Sequence, residues 1–159
     1  MKRTIALVLT AACLVFAAVA QAGVFNGTNR PETYTGTNSA DAISGGGGSD
    51  TLRGRGGIDR INGGTGADTI DGGTGDDSIS GSSGADRING AAGADRIDGG
   101  SGADRITGGS GTDAIYGASG ADRISARDGG RDIIVCGSGR DTVSADSVDV
   151  VNGCENVYR

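Results

Sequence analysis

The sequence predicts an all-β fold, a β-solenoid in which one nine-residue unit is stacked on itself many times. Three observations support this prediction. Aspartate returns every ninth residue from Asp41 to Asp122, an aliphatic residue follows each aspartate two places later, and a glycine opens every unit from Gly36 to Gly117. One inward aliphatic residue between two outward neighbours is typical of a three-residue strand. Two units therefore make one coil of eighteen residues, with a strand on each side and a turn at each end.

The segment 1–22 has the three parts of a secretory signal peptide. Lys2 and Arg3 form a basic start, residues 5–19 are apolar, and residues 20–22 read Ala-Gln-Ala, a small-residue cleavage site. We therefore expect cleavage after Ala22 and a secreted, extracellular bacterial protein. The alternative is a lipoprotein acylated on Cys13, which requires a leucine where Thr10 stands.

The composition excludes several classes of function. The formal net charge is −6, and it becomes −8 when Lys2 and Arg3 are removed with the signal peptide. This acidity argues against nucleic acid and anionic membranes as partners and favours cations. Histidine is absent, and the repeats occupy nearly the whole mature chain, so we do not expect an enzyme.

The two ends of the repeat array depart from its period. Residues 23–35 are predicted to form an amino-terminal cap, in which Glu32 takes the aspartate place and Phe25 and Tyr34 plug the core. Residues 36–125 form the regular repeats. Residues 126–159 are predicted to form slipped repeats and a carboxyl-terminal cap, with a bulge near residues 128–130 because the unit 126–135 is one residue too long. Caps are needed because open ends expose the core and strand edges.

The best-formed units have a specific pattern. Residues 63–71 read GGTGADTID and residues 72–80 read GGTGDDSIS, which match the nonapeptide G-G-x-G-x-D-x-U-x. On these residues the chain resembles the RTX (haemolysin-type) calcium-binding repeat family. The resemblance implies a right-handed parallel β-roll with Ca²⁺ between the turns of adjacent coils, held by sixth-place aspartates and turn carbonyls. Pairing each of the ten units with the unit two places on implies roughly eight calcium sites.

The residue types suit this chemistry. Carboxylates supply the hard oxygen that calcium prefers, and glycine in the first four places allows positive φ, which brings main-chain carbonyls together. The alternative, Asx-turns without metal, would accept asparagine or serine, but the ten sixth places hold only aspartate. The predicted ligands are Asp41, Asp50, Asp59, Asp68, Asp77, Asp86, Asp95, Asp104, Asp113, Asp122, Asp132 and Asp141, with Gly46, Gly48, Gly64, Gly66, Gly73, Gly75, Gly100, Gly102, Gly109 and Gly111.

Some turns depart from the pattern and are expected to bind calcium more weakly. In these turns the second place is taken by Arg55, Ser82, Ala91 or Ala118, where a Cβ atom resists positive φ.

The core predicted from the sequence is thin. Each unit buries only one large aliphatic side chain, and the aspartates repel each other at the stacking distance of about 4.8 Å. Bound cations would neutralise this repulsion and cross-link the coils, so their binding energy would be folding energy.

Cys136 and Cys154 are eighteen residues apart, which is one coil. Stacked coils place such Cα atoms about 4.8 Å apart, within the range of a disulfide. In an exported chain we expect this disulfide, with two free buried thiols as the alternative. The tail that contains these cysteines also resembles secreted actinobacterial members of the family.

Arg87, Arg105 and Arg123 stand in seventh places of alternate units and are predicted to form an outward column on one face. Like charges so close invite an anionic partner, such as wall phosphate or an acidic polysaccharide. The alternative is charge compensation for the neighbouring aspartates.

The leading functional hypothesis is a secreted calcium-binding protein that folds when it binds calcium. A calcium-rigidified module that binds a cell-surface or wall polymer is the second hypothesis, and ice binding is weaker because threonines do not continue in files.

Overall fold

The computed structural model describes residues 22–159, so the predicted signal peptide lies outside the described residues except for Ala22. The described chain is all β, with sixteen strands. Within it, no helix is long and apolar enough to span a membrane.

The odd-numbered strands form one eight-stranded sheet, and the even-numbered strands form a second. The first sheet contains β1 (Val24–Asn26), β3 (Ala42–Gly47), β5 (Arg60–Thr65), β7 (Ser78–Ser83), β9 (Arg96–Asp98), β11 (Ala114–Ser119), β13 (Ile133–Ser138) and β15 (Val150–Asn152). The second sheet contains β2 (Thr33–Thr35), β4 (Thr51–Gly56), β6 (Thr69–Thr74), β8 (Arg87–Ala92), β10 (Arg105–Ser110), β12 (Arg123–Ala126), β14 (Thr142–Ala145) and β16 (Asn156–Tyr158).

Both sheets are parallel, and each strand pairs with the strand two places later in the chain. Ile43 lies beside Ile61, and Ile61 lies beside Ile79, so the register is eighteen residues per coil in the regular repeats. The chain therefore alternates between the two sheets and forms a β-solenoid of about eight coils. This architecture confirms the fold class predicted from the period.

The strands are longer than the predicted three residues. Nine of the sixteen strands have six residues and run from the seventh place of one unit through the third place of the next, as in Arg60–Thr65. The prediction was wrong because glycine in the second place keeps its pairing across coils, as Gly46 does with Gly64, despite a positive φ. The ladder therefore reaches from the apolar residue into the turn.

The hydrophobic core is a double file of single aliphatic residues between the sheets. The eighth-place residues that form it are 0–3% exposed, and they are Ile43, Leu52, Ile61, Ile70, Ile79, Ile88, Ile97, Ile106, Ile115, Ile124, Ile134 and Val143. At the amino end Phe25 and Tyr34 close this file, since their rings stack with centroids 4.3 Å apart and pack against the core. A core one side chain wide in each unit leaves the turns to supply much of the cohesion between coils.

The carboxyl end differs in coil length. Ile133 pairs with Ala114, nineteen residues earlier, and the extra residue lies in the turn between β12 and β13 rather than inside a strand. The disulfide between Cys136 and Cys154 is present, with Cα atoms 5.2 Å apart. Cys136 takes the first place of its unit, and Ala126 and Ala145 take the corresponding places of the neighbouring units, where all three are buried. At this end the first place of each of these units is therefore occupied by a residue with a side chain, whereas glycine occupies it in the regular repeats.

Candidate metal centre

The twelve predicted aspartates stand at the ends of the turns, each directly before a strand, and all are buried, with 0–4% exposure. Backbone pairing holds them in place: for example, the Arg87 N–H donates to the Asp68 main-chain oxygen at 2.8 Å. Since turns alternate between the two edges of the solenoid, the aspartates form two files. Each file brings together the residues that the sequence predicted to share an ion, such as Asp50 with Asp68.

One carboxylate oxygen of each aspartate in the files, Oδ1, accepts a hydrogen bond from a backbone N–H of the preceding coil. The Asp50 N–H donates to Asp68 Oδ1 at 2.8 Å, and the Asp59 N–H donates to Asp77 Oδ1 at the same distance. The pattern continues along both files at 2.8–2.9 Å as far as Asp141 Oδ1. Oδ1 is therefore used to join one coil to the next.

The second carboxylate oxygen has no partner. Eleven Oδ2 atoms are buried and accept no hydrogen bond. Such atoms are uncommon in folded proteins because burying a polar atom without a partner costs free energy. The eleven atoms belong to Asp50, Asp59, Asp68, Asp77, Asp86, Asp95, Asp104, Asp113, Asp122, Asp132 and Asp141.

The first-place glycines lie against these unpartnered oxygens. A Cβ atom added to Gly45 would be 2.4 Å from Asp50 Oδ2 and 2.5 Å from the Gly63 carbonyl oxygen of the next coil. A Cβ atom on Gly90 would be 2.4 Å from both Asp95 Oδ2 and the Gly108 carbonyl oxygen. A carboxylate oxygen and a main-chain oxygen therefore converge on one point beside nine of the ten first-place glycines from Gly36 to Gly117, all except Gly108. Sequence reasoning did not include these glycines in the site, although their presence in every unit was the signal.

The predicted role of glycine in the first four places needs correction. Positive φ occurs in the second and fourth places, and all ten predicted glycine ligands have φ between 89° and 148°. The first-place glycines have no left-handed φ, and they are required for space instead, because the aspartate oxygen occupies the volume of a side chain. The φ argument therefore applies to only half of the four places.

The carbonyl oxygens of the second and fourth places differ in their partners. Second-place oxygens join the inter-coil ladder, as when the Ser101 N–H donates to the Ser82 oxygen at 2.8 Å. In contrast, none of the hydrogen bonds in residues 22–159 ends on a fourth-place glycine oxygen such as that of Gly48 or Gly66. The fourth-place glycine carbonyl oxygens, which accept no hydrogen bond in the described chain, are therefore better placed than second-place oxygens to act as ligands of a cation.

The departures from glycine keep the turn conformation with some strain. Arg55, Ser82, Ala91 and Ala118 have φ between 70° and 81°, whereas glycines in the second place of other units, such as Gly64, have φ of 89–109°. A left-handed conformation costs a residue with a side chain about 1–2 kcal/mol. These four turns thus have the strain that the sequence predicted and a slightly different backbone from their neighbours.

Burial changes the ionisation of the aspartate files. Burial raises the pKa of five carboxyl groups to about 6, although the N–H of the preceding coil opposes this shift and the charge of neighbouring aspartates adds to it. The five are Asp77, Asp86, Asp104, Asp122 and Asp132. Burial is also the main cause that raises the pKa of four further carboxyl groups, those of Asp59, Asp68, Asp95 and Asp113. Charged carboxylates in these files therefore need a compensating cation.

Asp41 is the exception among the predicted ligands. The Thr37 N–H donates to its Oδ2 at 2.6 Å, and the Thr37 hydroxyl and the Gly23 N–H donate to its Oδ1. Burial pushes the pKa of Asp41 upward, but these hydrogen bonds outweigh burial and hold the pKa below its ordinary value. Both oxygens of this carboxylate are therefore satisfied by the protein itself.

The files extend beyond the predicted residues at the carboxyl end. The Asp132 N–H donates to Asp149 Oδ1, and the Asp141 N–H donates to Glu155 Oε2. Their spacings are seventeen and fourteen residues, so a strict nine-residue period misses both. The remaining signal was an acid directly before a short strand, as in Asp149 before Val150–Asn152.

The residues of the turns suit a calcium ion only when main-chain oxygens are counted together with the carboxylates. Within residues 22–159, no three histidine, cysteine or acidic side chains come together as a metal site. Calcium takes six to eight oxygen ligands, including main-chain carbonyls, at about 2.3–2.6 Å. The unpartnered Oδ2 atoms and the free fourth-place oxygens are of this type. A centre between coils would thus combine carboxylates of one file with carbonyls of the turns.

Comparison with known proteins agrees with this geometry. A family model described as the RTX calcium-binding nonapeptide repeat matches residues 26–61, 53–88, 62–97 and 89–124. No curated protein matches the chain. The four matches together span residues 26–124 and coincide with the stacked turns that hold the aspartate files. The chain therefore belongs to the family of RTX calcium-binding nonapeptide repeat proteins.

Proposed function

We propose that this protein is a secreted calcium-binding protein in which Ca²⁺ bridges stacked Gly/Asp turns and drives folding of the β-roll. The single observation that supports it best is the set of eleven buried Oδ2 atoms without a partner. An uncompensated buried charge is far more costly than a single buried apolar contact is favourable. At neutral pH, where these carboxyl groups are charged, the folded chain therefore needs a cation at the turns.

The ligands we assign are the sixth-place aspartates from Asp41 to Asp141, together with turn carbonyls. Neighbours in one file, such as Asp68 and Asp86, would share an ion, which leaves roughly eight ions for the ten regular units. Calcium would supply two positive charges and flexible coordination by oxygen. Asp41 is the weakest ligand in this assignment because both of its oxygens already have donors.

Secretion follows from the signal peptide predicted at residues 1–22, and the disulfide fits an oxidising compartment. Export into a calcium-rich medium would let the chain remain unfolded inside the cell and fold outside it. The role we propose is therefore structural rather than catalytic.

The proposal is tested with residues 23–159, stripped of metal by dialysis against chelator. Far-UV circular dichroism is followed during titration with CaCl₂, with MgCl₂ as the control cation. We expect strand signal to appear with Ca²⁺ and not with Mg²⁺, because Mg²⁺ demands octahedral geometry and retains its water. Metal-stripped protein at neutral pH with full strand signal and unchanged heat resistance would refute the proposal.

A second candidate is a calcium-rigidified extracellular module that binds a cell-surface or wall polymer. One observation favours it: Arg87, Arg105 and Arg123 lie in register on neighbouring strands and point outward. Immobilised wall polymer should then retain the calcium-loaded protein and release it in chelator. Equal retention of a protein whose three arginines are replaced would remove this candidate.

A further inference from the structure

The second sheet has an unusual line of positive charge on its outer surface. Arg87 pairs with Arg105, and Arg105 pairs with Arg123, on the adjacent strands β8, β10 and β12. The residues two places on in the same strands are Asn89, Thr107 and Ser125, which form a parallel line of polar side chains. We call these six residues the arginine ladder. Neighbouring rungs are one strand spacing apart, about 4.8 Å.

The guanidinium groups of the ladder have no partner in the described chain. Within residues 22–159, none of the three makes a hydrogen bond, ion pair or ring contact. The aspartate that precedes each of them, such as Asp86 before Arg87, is buried, and its Oδ1 faces the N–H of the preceding coil. By contrast, Arg96 on the opposite sheet lies over the Tyr116 ring, 4.5 Å from its centroid. The ladder arginines therefore do not compensate the aspartates through contact.

Three shallow depressions lie along the ladder. One, of about 170 Å³, is lined by all three arginines together with Asp86 and Asp104, and the other two each lie between two successive arginines. Of these two, one, of about 210 Å³, is lined by Arg87, Asn89, Arg105 and Thr107 together with Thr69, Ile70 and Asp71 of β6. The other, of about 220 Å³, is lined by Arg105, Thr107, Arg123 and Ser125 together with residues of β14. The depression between Arg105 and Arg123 thus offers two guanidinium groups and hydroxyl donors with no carboxylate in its lining, whereas the one between Arg87 and Arg105 also contains Asp71. Repetition at one strand spacing suits a linear ligand that lies across the strands.

The charge balance of the ladder depends on calcium. The mature chain predicted from cleavage after Ala22 has a formal charge of −8, which follows from −6 after removal of Lys2 and Arg3. Each bound Ca²⁺ adds two positive charges, so four ions bring −8 to zero and further ions make the protein positive. Because the ions would neutralise the aspartate files and leave the arginines unchanged, calcium loading turns this face into a cationic surface.

We propose that the arginine ladder binds a linear polymer of phosphodiesters and does so only in the calcium-loaded protein. This inference rests on the proposed calcium-driven folding and names the partner of the second candidate function. We commit to a phosphodiester because it carries its charge in the backbone of the polymer, so that a chain lying across the strands can place its two anionic oxygens against successive guanidinium groups, whereas a carboxylate stands on a side group of its polymer. The depressions between successive arginines are the places for such contacts.

The test uses the oxidised protein, residues 23–159, and a synthetic poly(glycerol phosphate) chain immobilised on a sensor surface. Binding is measured at fixed free Ca²⁺ and at several salt concentrations. The variant carries Arg87→Gln, Arg105→Gln and Arg123→Gln. The matched control carries Arg60→Gln, Arg131→Gln and Arg140→Gln, which are exposed and remove the same charge outside the ladder. Arg60 lines a larger depression of about 330 Å³ on the first sheet, so pocket size is also controlled.

We expect the ladder variant to lose at least about tenfold in affinity and the control variant less than about threefold, with a shallower salt dependence for the ladder variant. Equal losses in the two variants would overturn the proposal and indicate general charge attraction. Binding of the ladder variant at wild-type strength would also overturn it, because calcium would then bridge protein and polymer.

A second arm replaces the polymer with polygalacturonate of similar charge density. Equal or tighter binding of the carboxylate polymer would overturn the assignment to phosphate. Circular dichroism of each variant in Ca²⁺ is recorded in parallel. A protein that folds with Ca²⁺ but does not bind the polymer refutes only the ladder, whereas a protein that folds without Ca²⁺ refutes the proposed function.

Discussion

The regular middle of the solenoid and its two ends treat their acidic side chains differently. In the middle, each aspartate from Asp50 to Asp122 has one oxygen that accepts a hydrogen bond from the preceding coil and one oxygen buried without a partner. At the ends, the protein supplies both partners. Asp41 receives Thr37 and Gly23, and Asp149 receives the N–H groups of Asp132 and Asp146 on its two oxygens.

The same contrast appears in the first place of the unit. In the middle this place is glycine, and the aspartate oxygen fills the space beside it. Toward the carboxyl end Ala126, Cys136 and Ala145 take the place, and their buried side chains add to the core. Asp132 and Asp141 lie where these two arrangements meet and still have an unpartnered oxygen.

The difference teaches how the cohesion of the molecule is divided. The ends are stabilised by hydrogen bonds, apolar side chains and a disulfide that belong to the chain. The middle has one hydrogen-bond partner for each carboxylate and one buried aliphatic side chain in each unit, and it presents oxygen atoms that only an added cation or proton can satisfy. Folding of the middle is therefore expected to depend on the medium, and folding of the ends much less so.

The largest expected effect is that of pH on the metal-free protein. The pKa of Asp77, Asp86 and Asp104 is raised to about 6 in the fold, above an ordinary value of 3.8. The stability that these groups confer when protonated is fully present below pH 3.8 and is lost as the pH rises through 6. Metal-free protein should therefore show strand signal near pH 4 and lose it above pH 6, as followed by circular dichroism.

The amino end should respond in the opposite sense. Hydrogen bonds hold the pKa of Asp41 below its ordinary value, and the Thr28 hydroxyl and N–H do the same for Glu32. Their stabilisation is present above the unfolded pKa and is lost as the pH falls through the folded pKa. Metal-free protein with equal strand signal at pH 4 and pH 8 would contradict the contrast between middle and ends.

The next effect is that of the disulfide. Reduction of Cys136–Cys154 should lower the free energy of unfolding by about 3 kcal/mol, because the bond closes a loop of eighteen residues. We expect the loss in urea unfolding at saturating Ca²⁺, with the calcium midpoint of the middle nearly unchanged. Reduction of the native protein is preferred to substitution, since serine at the buried Cys136 would add a polar group to the core. A large shift in the calcium midpoint would show that the two regions are not separate.

Exchanging first-place residues compares the regions directly. Gly90→Ala should cost about 1–3 kcal/mol and raise the calcium requirement, because its Cβ would meet Asp95 Oδ2 and the Gly108 oxygen at 2.4 Å. The reverse exchange at the carboxyl end, Ala145→Gly, should cost about 0.5–1 kcal/mol and leave calcium binding unchanged. Urea unfolding and calcium titration of both variants measure the pair. An unchanged calcium midpoint for Gly90→Ala would argue against a site beside the first place.

The smallest effect concerns single carboxylates. Asp68→Asn should raise the half-saturating calcium concentration about tenfold, about 1.4 kcal/mol, because it removes an unpartnered charged oxygen. Asp41→Asn removes the same charge from a carboxylate whose oxygens already have donors, so a shift below about threefold is expected. Calcium titration followed by circular dichroism measures both. Equal shifts would place Asp41 among the ligands on the same footing as Asp68.

Much of the fold and part of the site could be predicted from the sequence. The nine-residue period predicted the solenoid and the aliphatic file, and the separation of Cys136 and Cys154 predicted the disulfide. These succeed because a strict repeat places equivalent residues at equivalent positions. That Asp50 and Asp68 share an ion was implied by the family resemblance and stays a prediction, although the two residues do lie on adjacent coils. The strand length was wrong, because backbone pairing through a glycine of positive φ is a property of stacked coils and not of one unit.

The sequence by itself determined which chemical groups repeat, how often they repeat and which residues depart from the pattern. Only the tertiary structure decided which oxygen of each carboxylate has a partner, that Asp149 and Glu155 continue the files, and that first-place glycine is required for space. The physical reason is that these properties depend on atoms one coil away. Where coils of seventeen or fourteen residues replace eighteen, the period no longer identifies the neighbour.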